Sequence, residues 1–496
     1  MKRMLPVFGL LFLFSLITNC NNDDPASNGD DPISLDELIS ALTSNGDVKS
    51  WKIEFASLSN GTVNDLNVSE AFNIKDDEFL FSANGQGLQL TYRARNAFNE
   101  DATDFQSFLL DFYKSPIDYS IATNPNDPSN FSANNGMEFN LEEGMINGQW
   151  TLGANTTLSF TLTIKSSEDY LTPPASLNFQ EVVTIPSEYQ FEESVGSADI
   201  LGSQSNNSIY MIYSTDQFPN PIPNTPSRAE GVIRYDLNTN QFNFNIFHNQ
   251  DFFTKRAWIS NNKLKVLGSQ AINTYDDLDI PGDPDDSFYY NLCDADCEYF
   301  YVRHDIVISD DLIYLMGGSL EPDPIPGSVT NYFDKVLTYN DVTQELTNVT
   351  TLPGSKSMAA VELVDDKIYI IGGCQGFTNF ETAETTSYIY DLSTNSFSTF
   401  NLPNPVAVTF GVAVENLIYI AGNEVIQTED SLDYNIFFGV YNTETAQFSE
   451  LPHNLDDSGL RKRVSGITYY NDELFILYQN SDFGDTEDYK LMSTQL

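Results

Sequence analysis

From about residue 195 to its C-terminus the chain repeats itself with a period of about 50 residues, long enough for one four-stranded β-unit that cannot bury its apolar faces alone. The strongest copies are Lys367-Ile-Tyr-Ile-Ile-Gly-Gly373, Leu312-Ile-Tyr-Leu-Met-Gly-Gly318 and Leu417-Ile-Tyr-Ile-Ala-Gly422. Weaker ones are Ser208-Ile-Tyr-Met-Ile212, Lys263-Leu-Lys-Val-Leu-Gly268 and Glu473-Leu-Phe-Ile-Leu477. Each is an apolar strand, and most follow an Asn/Asp turn such as Asn261-Asn262, Asp310-Asp311, Asp365-Asp366 or Asn471-Asp472. A hairpin signal follows, with polar turn residues between a tyrosine and a second apolar residue: Tyr235 to Phe242, Tyr390 to Phe397, Tyr441 to Phe448 and, at the same spacing, Tyr339 to Leu346. The second repeat fits if Tyr290 to Cys297 is its hairpin, so that a disulfide between Cys293 and Cys297 would pin the turn. Six repeats begin near Ser197, Phe252, Tyr301, Ser355, Val406 and Arg461.

A strand ending in Gly-Gly, followed by Tyr and an aromatic at this spacing, resembles the kelch repeat, whose copies form the blades of a β-propeller. The chain departs from that pattern in using Phe, Leu or Cys where Trp is usual, and two blades carry the full Gly-Gly. The resemblance implies glycines that permit close backbone packing near the axis, and aromatics that pack one blade on the next. The last repeat has three strands, and Leu177 to Pro186 is expected to supply its outer strand and close the ring, leaving no unpaired edge. The expected fold is therefore all-β, with a six-bladed kelch-type β-propeller over residues 177–496 and a small antiparallel β-barrel or meander over residues 33–170 before it.

The first 20 residues read as an export signal: Lys2 and Arg3, then an apolar Val7 to Ile17 too short to span a bilayer, which needs about 20 residues. Ile17-Thr18-Asn19-Cys20 resembles a bacterial lipoprotein signal, with Cys20 the lipidated residue; a plain secretory signal with an incidental cysteine is the alternative. Asn21-Asn22-Asp23-Asp24 resembles the acidic tether of surface lipoproteins of Gram-negative bacteria, which implies a lipid-anchored protein of the cell outer membrane, with residues 21–32 a flexible tether. In the following domain Ser34 and Glu37 form a capping-box signal for a helix to Leu42. Strands are expected over 50–55, 78–81, 87–92, 107–112, 148–152 and 158–164. The order of helix, Lys49-Ser50-Trp51-Lys52, and a late Gly148-Gln149-Trp150 before a final strand resembles lipocalin-like domains of envelope lipoproteins; a spacer or a second binding module is its expected role.

Asp and Glu number 71 against 23 Lys and Arg, a net charge of -48, which excludes nucleic acid as a partner. The four cysteines and three histidines are too dispersed for a metal site, and Cys374 reads as a buried free thiol. The acidic run Tyr275 to Asp286 lacks the spacing of a calcium loop. The kelch resemblance extends to copper radical oxidases, but their several histidines and Cys–Tyr pair are absent, as is a hydrolase nucleophile elbow. No catalytic residue and no cofactor is assigned.

Charge placement is more informative. Seven of the 23 cations, Lys255, Arg256, Arg303, Lys356, Arg461, Lys462 and Arg463, fall at the start of a blade's first strand, with His304 beside Arg303. Those starts converge at one channel mouth, where Arg256, Arg303, His304, Lys356, Arg461 and Arg463 would focus an anionic ligand such as a carboxylate. The alternative is that they pair with neighbouring acids such as Asp305, Asp456 and Asp457. Trp258 and Tyr301 would add stacking faces for a sugar, or simply be core. The expected function is a non-catalytic envelope binding protein whose propeller recognises a glycan, acidic ones included, or an envelope protein. Because some bacterial kelch proteins are sialic acid mutarotases, the resemblance also admits an enzyme acting on an acidic sugar; a structural adhesin or assembly component is the third reading.

Overall fold

The computed structural model describes residues 33–44, 46–59, 66–68, 77–85, 87–93, 117–151, 156–166, 169–186, 199–203, 207–215, 229–247, 256–260, 263–267, 271–275, 286–289, 299–302, 305–309, 312–322, 331–332, 334–340, 343, 345–375, 382–427, 432–456, 462–479 and 489–496. Two all-β units follow one another. The first opens on helix α1 (Leu35–Leu42), whose capping box forms as expected: Glu37 N donates to Ser34 Oγ at 3.3 Å and Ser34 N to Glu37 Oε2 at 2.7 Å. Leu38 and Leu42 turn onto a barrel of strands β1 (Lys49–Ser59), β2 (Leu66–Asn67), β3 (Glu78–Asn84), β4 (Gly87–Arg93), β5 (Ile117–Thr123), β6 (Asn130–Ala133), β7 (Met137–Glu142), β8 (Met145–Thr151) and β9 (Thr157–Ile164). All neighbours are antiparallel, and β1 pairs back onto β9, so eight strands close and the short β2 hangs on the far end of β1. Alternation along β9, with Leu158, Phe160 and Leu162 buried, shows why a period-two sequence closes here.

The barrel interior is filled by its own side chains. Phe79, Phe81, Phe131, Phe139 and Phe160 meet with ring centroids 5.1 to 6.4 Å apart, and Trp51, Tyr92 and Met137 complete one cluster. Gly148 is required opposite them, since a Cβ there would lie 2.2 Å from the Phe160 ring. The expected strand over 107–112 lies outside the described residues.

The second unit is a six-bladed propeller. Blade 1 comprises Asp199–Ser203, Ser208–Thr215, Ala229–Asp236 and Gln241–Phe247; blade 2, Arg256–Ser260, Lys263–Leu267, Ala271–Tyr275 and Asp286–Tyr289; blade 3, Asp305–Ser309, Leu312–Met316, Lys335–Asn340 and Glu345–Thr351. Blade 4 comprises Ala360–Val364, Lys367–Ile371, Thr386–Asp391 and Ser396–Asn401; blade 5, Val406–Val414, Leu417–Gln427, Leu432–Asn442 and Gln447–Glu450; blade 6, Arg463–Tyr470, Glu473–Gln479 and Tyr489–Gln495. The strand Gln180–Thr184 adds to the outside of blade 6 and closes the ring from the N-terminal side, as the three-stranded last repeat requires. The segment before it is fastened to blade 5: Leu177 N donates to Pro452 O, Phe179 N and O bond the Asn454 amide, and Phe179 packs on Phe438.

In five blades the second strand pairs an apolar residue with the tyrosine of the third: Ile209 with Tyr235, Leu264 with Tyr275, Ile313 with Tyr339, Ile368 with Tyr390 and Ile418 with Tyr441. Tyr235 and Tyr390 stack within their hairpins (Tyr390 on Phe397, centroids 4.7 Å), Tyr441 stacks on Phe400 of blade 4, and all five tyrosines pack into the core shared with the preceding blade. Blade 2 corrects the expected register. Its hairpin tyrosine is Tyr275, not Tyr290; Thr274 pairs with Asp286 and Ala271 with Tyr289, so the acidic run 276–285 joins strands three and four. Cys293 and Cys297 follow the blade rather than flank its turn, and both lie outside the described residues.

Antiparallel order puts two kinds of connection on opposite faces. Links from second to third strands, and from one blade to the next, emerge on one side, the loop face; turns between first and second and between third and fourth strands emerge on the other, the turn face. The Gly-Gly pairs serve the loop face. Gly317 has φ +62°, and a Cβ on it would sit 2.2 Å from Lys356 O, on the segment entering blade 4. Gly373 N donates to Val406 O at 2.9 Å, at the start of blade 5. Beyond Gly318, blade 3 continues as a small sheet of Tyr299–Val302, Ser319–Pro322 and Asn331–Tyr332, and blade 5 continues as one long hairpin to Gln427 and Leu432.

Candidate functional site at the channel mouth

The innermost strands define layers across the channel. Because each pairs with its second strand in the same register, Asp199, Arg256, Asp305, Ala360, Phe410 and Gly466 occupy one column of the repeat, opposite Ile212, Leu267, Met316, Ile371, Ala421 and Leu477. This column is the layer at the loop-face mouth.

Arg256 spans that layer. Nε and Nη2 donate to both oxygens of Asp305 in a bidentate pair, and Nη1 donates to Asp199 Oδ1 at 3.2 Å. Its guanidinium carbon lies 6.0 Å from the centre of the Phe410 ring, three blades away. The carboxylates also stitch blade to blade: Ala257 N donates to Asp199 Oδ2 at 2.6 Å and Val361 N to Asp305 Oδ2 at 3.1 Å. One layer deeper, Glu362 Oε2 receives Ala413 N at 3.1 Å from blade 5. Burial works against charge on Arg256, but Asp305 and Asp199 outweigh it and hold the guanidinium protonated above its ordinary range. Burial pushes both aspartates upward while Arg256 pulls them down.

Lys356, 1% exposed, lies on the segment entering blade 4. Nζ donates to Glu384 Oε2 at 2.7 Å and Thr386 O at 2.6 Å and lies 5.3 Å from the Tyr388 ring centre. Burial lowers its pKa, and Glu384 opposes that. Glu384 also accepts from Gln375 Nε2, so the cation, its carboxylate and an amide link the two segments flanking the Gly-Gly of blade 4. Cys374, a buried free thiol, lies here with Sγ 3.7 Å from Ser357 Oγ. Arg463 Nε donates to Gln479 Oε1 at 2.5 Å, and Lys462 pairs with Asp456.

The structure thus brings Arg256, Lys356 and Arg463 to one mouth and gives each an internal partner, and Asp305 and Asp456 are among the acids expected to pair. Lys255, Arg303, His304, Arg461, Cys293, Cys297 and Cys20 lie outside the described residues. Trp258 is 8% exposed and packs in the core between blades 2 and 3, not as a sugar platform. His453 is a packing residue, with Nε2 3.1 Å from Ile436 O and its ring on Phe438. Among the described residues no group of three His, Cys, Asp or Glu is placed to hold a metal ion. Asp199, Glu362 and Glu384 are site residues that sequence reasoning missed. The signal for Asp199 is an aligned column reading Asp, Arg, Asp across blades 1 to 3; for Glu362 and Glu384 no equivalent spacing marks the role.

Comparison with known proteins agrees with this geometry. The kelch motif model matches residues 355–401, which run from the segment entering blade 4 to the end of its outer strand. The kelch-like protein terF of Aspergillus terreus is 28% identical over 186 residues, covering 36% of this chain and 39% of that protein, so the chain spans about two fifths of its relative's length. Blade 4 is a kelch motif in sequence and in strand order, and the six blades around the Arg256 layer form a kelch-type propeller.

Proposed function

We propose that this is a lipid-anchored envelope protein, attached through Cys20, whose propeller recognises a protein partner across its loop face and performs no chemistry of its own. The observation that carries the reading is Arg256: it lies across the mouth and is held by carboxylates from the blades on either side of it. A buried ion cluster of this kind holds a ring together; withdrawing its cation for an incoming anion would leave carboxylates buried and unpaired, at a cost of about 3–5 kcal/mol. Lys356 is committed in the same way to Glu384. Recognition then belongs to the connections around the mouth, raised by the extensions of blades 3 and 5, and a broad face built from several loops suits a protein surface better than a small ligand. Kelch propellers generally bind proteins, which supports the same choice. A local disulfide between Cys293 and Cys297 would fit an oxidising envelope compartment.

Site-specific photo-crosslinking in the native envelope tests this. A crosslinking residue at the exposed Gln375 or Pro403, on the loop face, is expected to capture one and the same protein, whereas Thr394 or Thr445, on the turn face, captures none or only this chain. Capture of that protein equally from both faces, or from neither, would overturn the proposal.

A further inference from the structure

We propose that the barrel is a pedestal locked onto the turn face of blades 4 and 5 by Arg93, Asp365 and Asn416, so that the loop face is the one left open. Within the barrel, Glu78 is fully buried and takes two cations: Arg93 Nη1 donates to its Oε2 at 3.1 Å, and Lys165 Nζ lies 3.0 Å from its Oε1. Lys165 is 3% exposed and lies over the Tyr170 ring at 4.3 Å. The propeller brings a further carboxylate to Arg93: Asp365, in the turn between the first and second strands of blade 4, lies 2.9 Å from Arg93 Nε. The pair is largely enclosed at the junction, with Arg93 21% and Asp365 11% exposed.

A second, uncharged contact sits one blade further on. Asn416, buried in the equivalent turn of blade 5, holds both backbone groups of Leu171: Leu171 N donates to its Oδ1 at 3.0 Å, and its Nδ2 donates to Leu171 O at 3.1 Å. The link between the units is also tied on the barrel side, where Lys52 Nζ donates to Asp169 Oδ1 at 2.5 Å. Contacts at both ends of so short a link fix an orientation. Both propeller residues lie on the turn face, opposite the mouth. The inference rests on the reading above only in naming the loop face as the partner's; the lock itself does not depend on it.

Hydrogen exchange on the full chain tests the lock through the Leu171 amide. In the native protein that amide should exchange as slowly as the blade 5 strands. Asn416→Ala and Asp365→Ala should each speed its exchange at least tenfold while β1 and β9 keep their protection. Arg93→Glu should do the same, and Arg93→Glu with Asp365→Arg should restore slow exchange; if Arg93→Glu unfolds the barrel, the two propeller-side variants still decide the matter. Rapid exchange of Leu171 in the native protein, or exchange unmoved by Asn416→Ala and Asp365→Ala, would overturn the pedestal. A locked Leu171 together with failed crosslinking from Gln375 would defeat the partner reading and leave the pedestal standing.

Discussion

The barrel and the propeller close in different ways. The barrel closes through its backbone ladder, β1 onto β9, around one aromatic cluster shared by nearly every strand. The propeller has no such common centre. Its apolar residues fall into separate clusters between neighbouring blades, and its axis is joined by side chains: Arg256 with Asp199 and Asp305, Glu362 on Ala413 N, and Thr409, which accepts from Ala360 N and donates to Ile371 O. A barrel of this size can be filled by side chains, whereas six radial blades leave a channel that polar groups must bridge. Packing specifies the first unit, and directional bonds between blades specify the second.

The largest expected effect comes from breaking each closure at its centre. Arg256→Ala should destabilise the propeller by about 3–5 kcal/mol, because two buried carboxylates lose their cation. Phe139→Ala should cost the barrel a similar amount, about 3–5 kcal/mol, through the cavity it leaves. The three tryptophans divide the readout: Trp51 and Trp150 report the barrel and Trp258 the propeller. Denaturation followed by single-tryptophan fluorescence should therefore show each variant lowering mainly its own unit's transition. Next in size is Gly317→Ala, expected to cost at least about 2 kcal/mol, since the residue is left-handed and its Cβ would meet the backbone of the segment entering blade 4. Urea midpoints measure it, and an unchanged midpoint would mean that the blade 3–4 contact is not close.

Acid should separate the units by sign. Asp169 is held at about 2 by its bond from Lys52, below its ordinary 3.8, so the stability it contributes is fully present above the ordinary value and lost as pH falls toward 2. Asp199 and Asp305 are raised by burial, so their contribution is present at low pH and declines as pH rises through the raised values. Lowering the pH from 3.8 toward about 2 should thus loosen the barrel's link before the axis, visible as faster exchange around Asp169 with the innermost strands still protected. The smallest effect is Tyr390→Phe, which deletes the 2.7 Å bond to Asn395 in an exposed hairpin and should cost about 1 kcal/mol.

Much of the propeller was legible because its repeats state strand order twice, in Ile-Tyr runs and in Tyr-to-Phe hairpins. Blade 2 misled where a ten-residue connection, in place of the four-residue turn of blades 1, 3, 4 and 5, moved the fourth strand away from Tyr275 and left a second tyrosine, Tyr290, at a plausible distance. In the barrel, 117–123, 130–133 and 137–142 were not anticipated: short strands that interleave polar with apolar residues and bury few of them, such as Phe131 and Ala133, carry little apolar signal. The mouth was half legible. Cations at the strand starts mark where Arg256 lies, but that it bridges the mouth follows from its column neighbours, Asp, Ala, Phe and Gly, which share no motif.

The central claim, that the mouth is closed by its own ion cluster and does not take a small anion, is tested most directly by thermal unfolding of the soluble protein with saturating sialic, glucuronic and galacturonic acids. A ligand at 100 times its dissociation constant adds about 2.7 kcal/mol to a native state that binds it. The account predicts no shift with any of the three acids. A saturable rise in Tm with one of them, abolished by Arg303→Ala or Arg461→Ala, would contradict it and put an acidic sugar at the mouth.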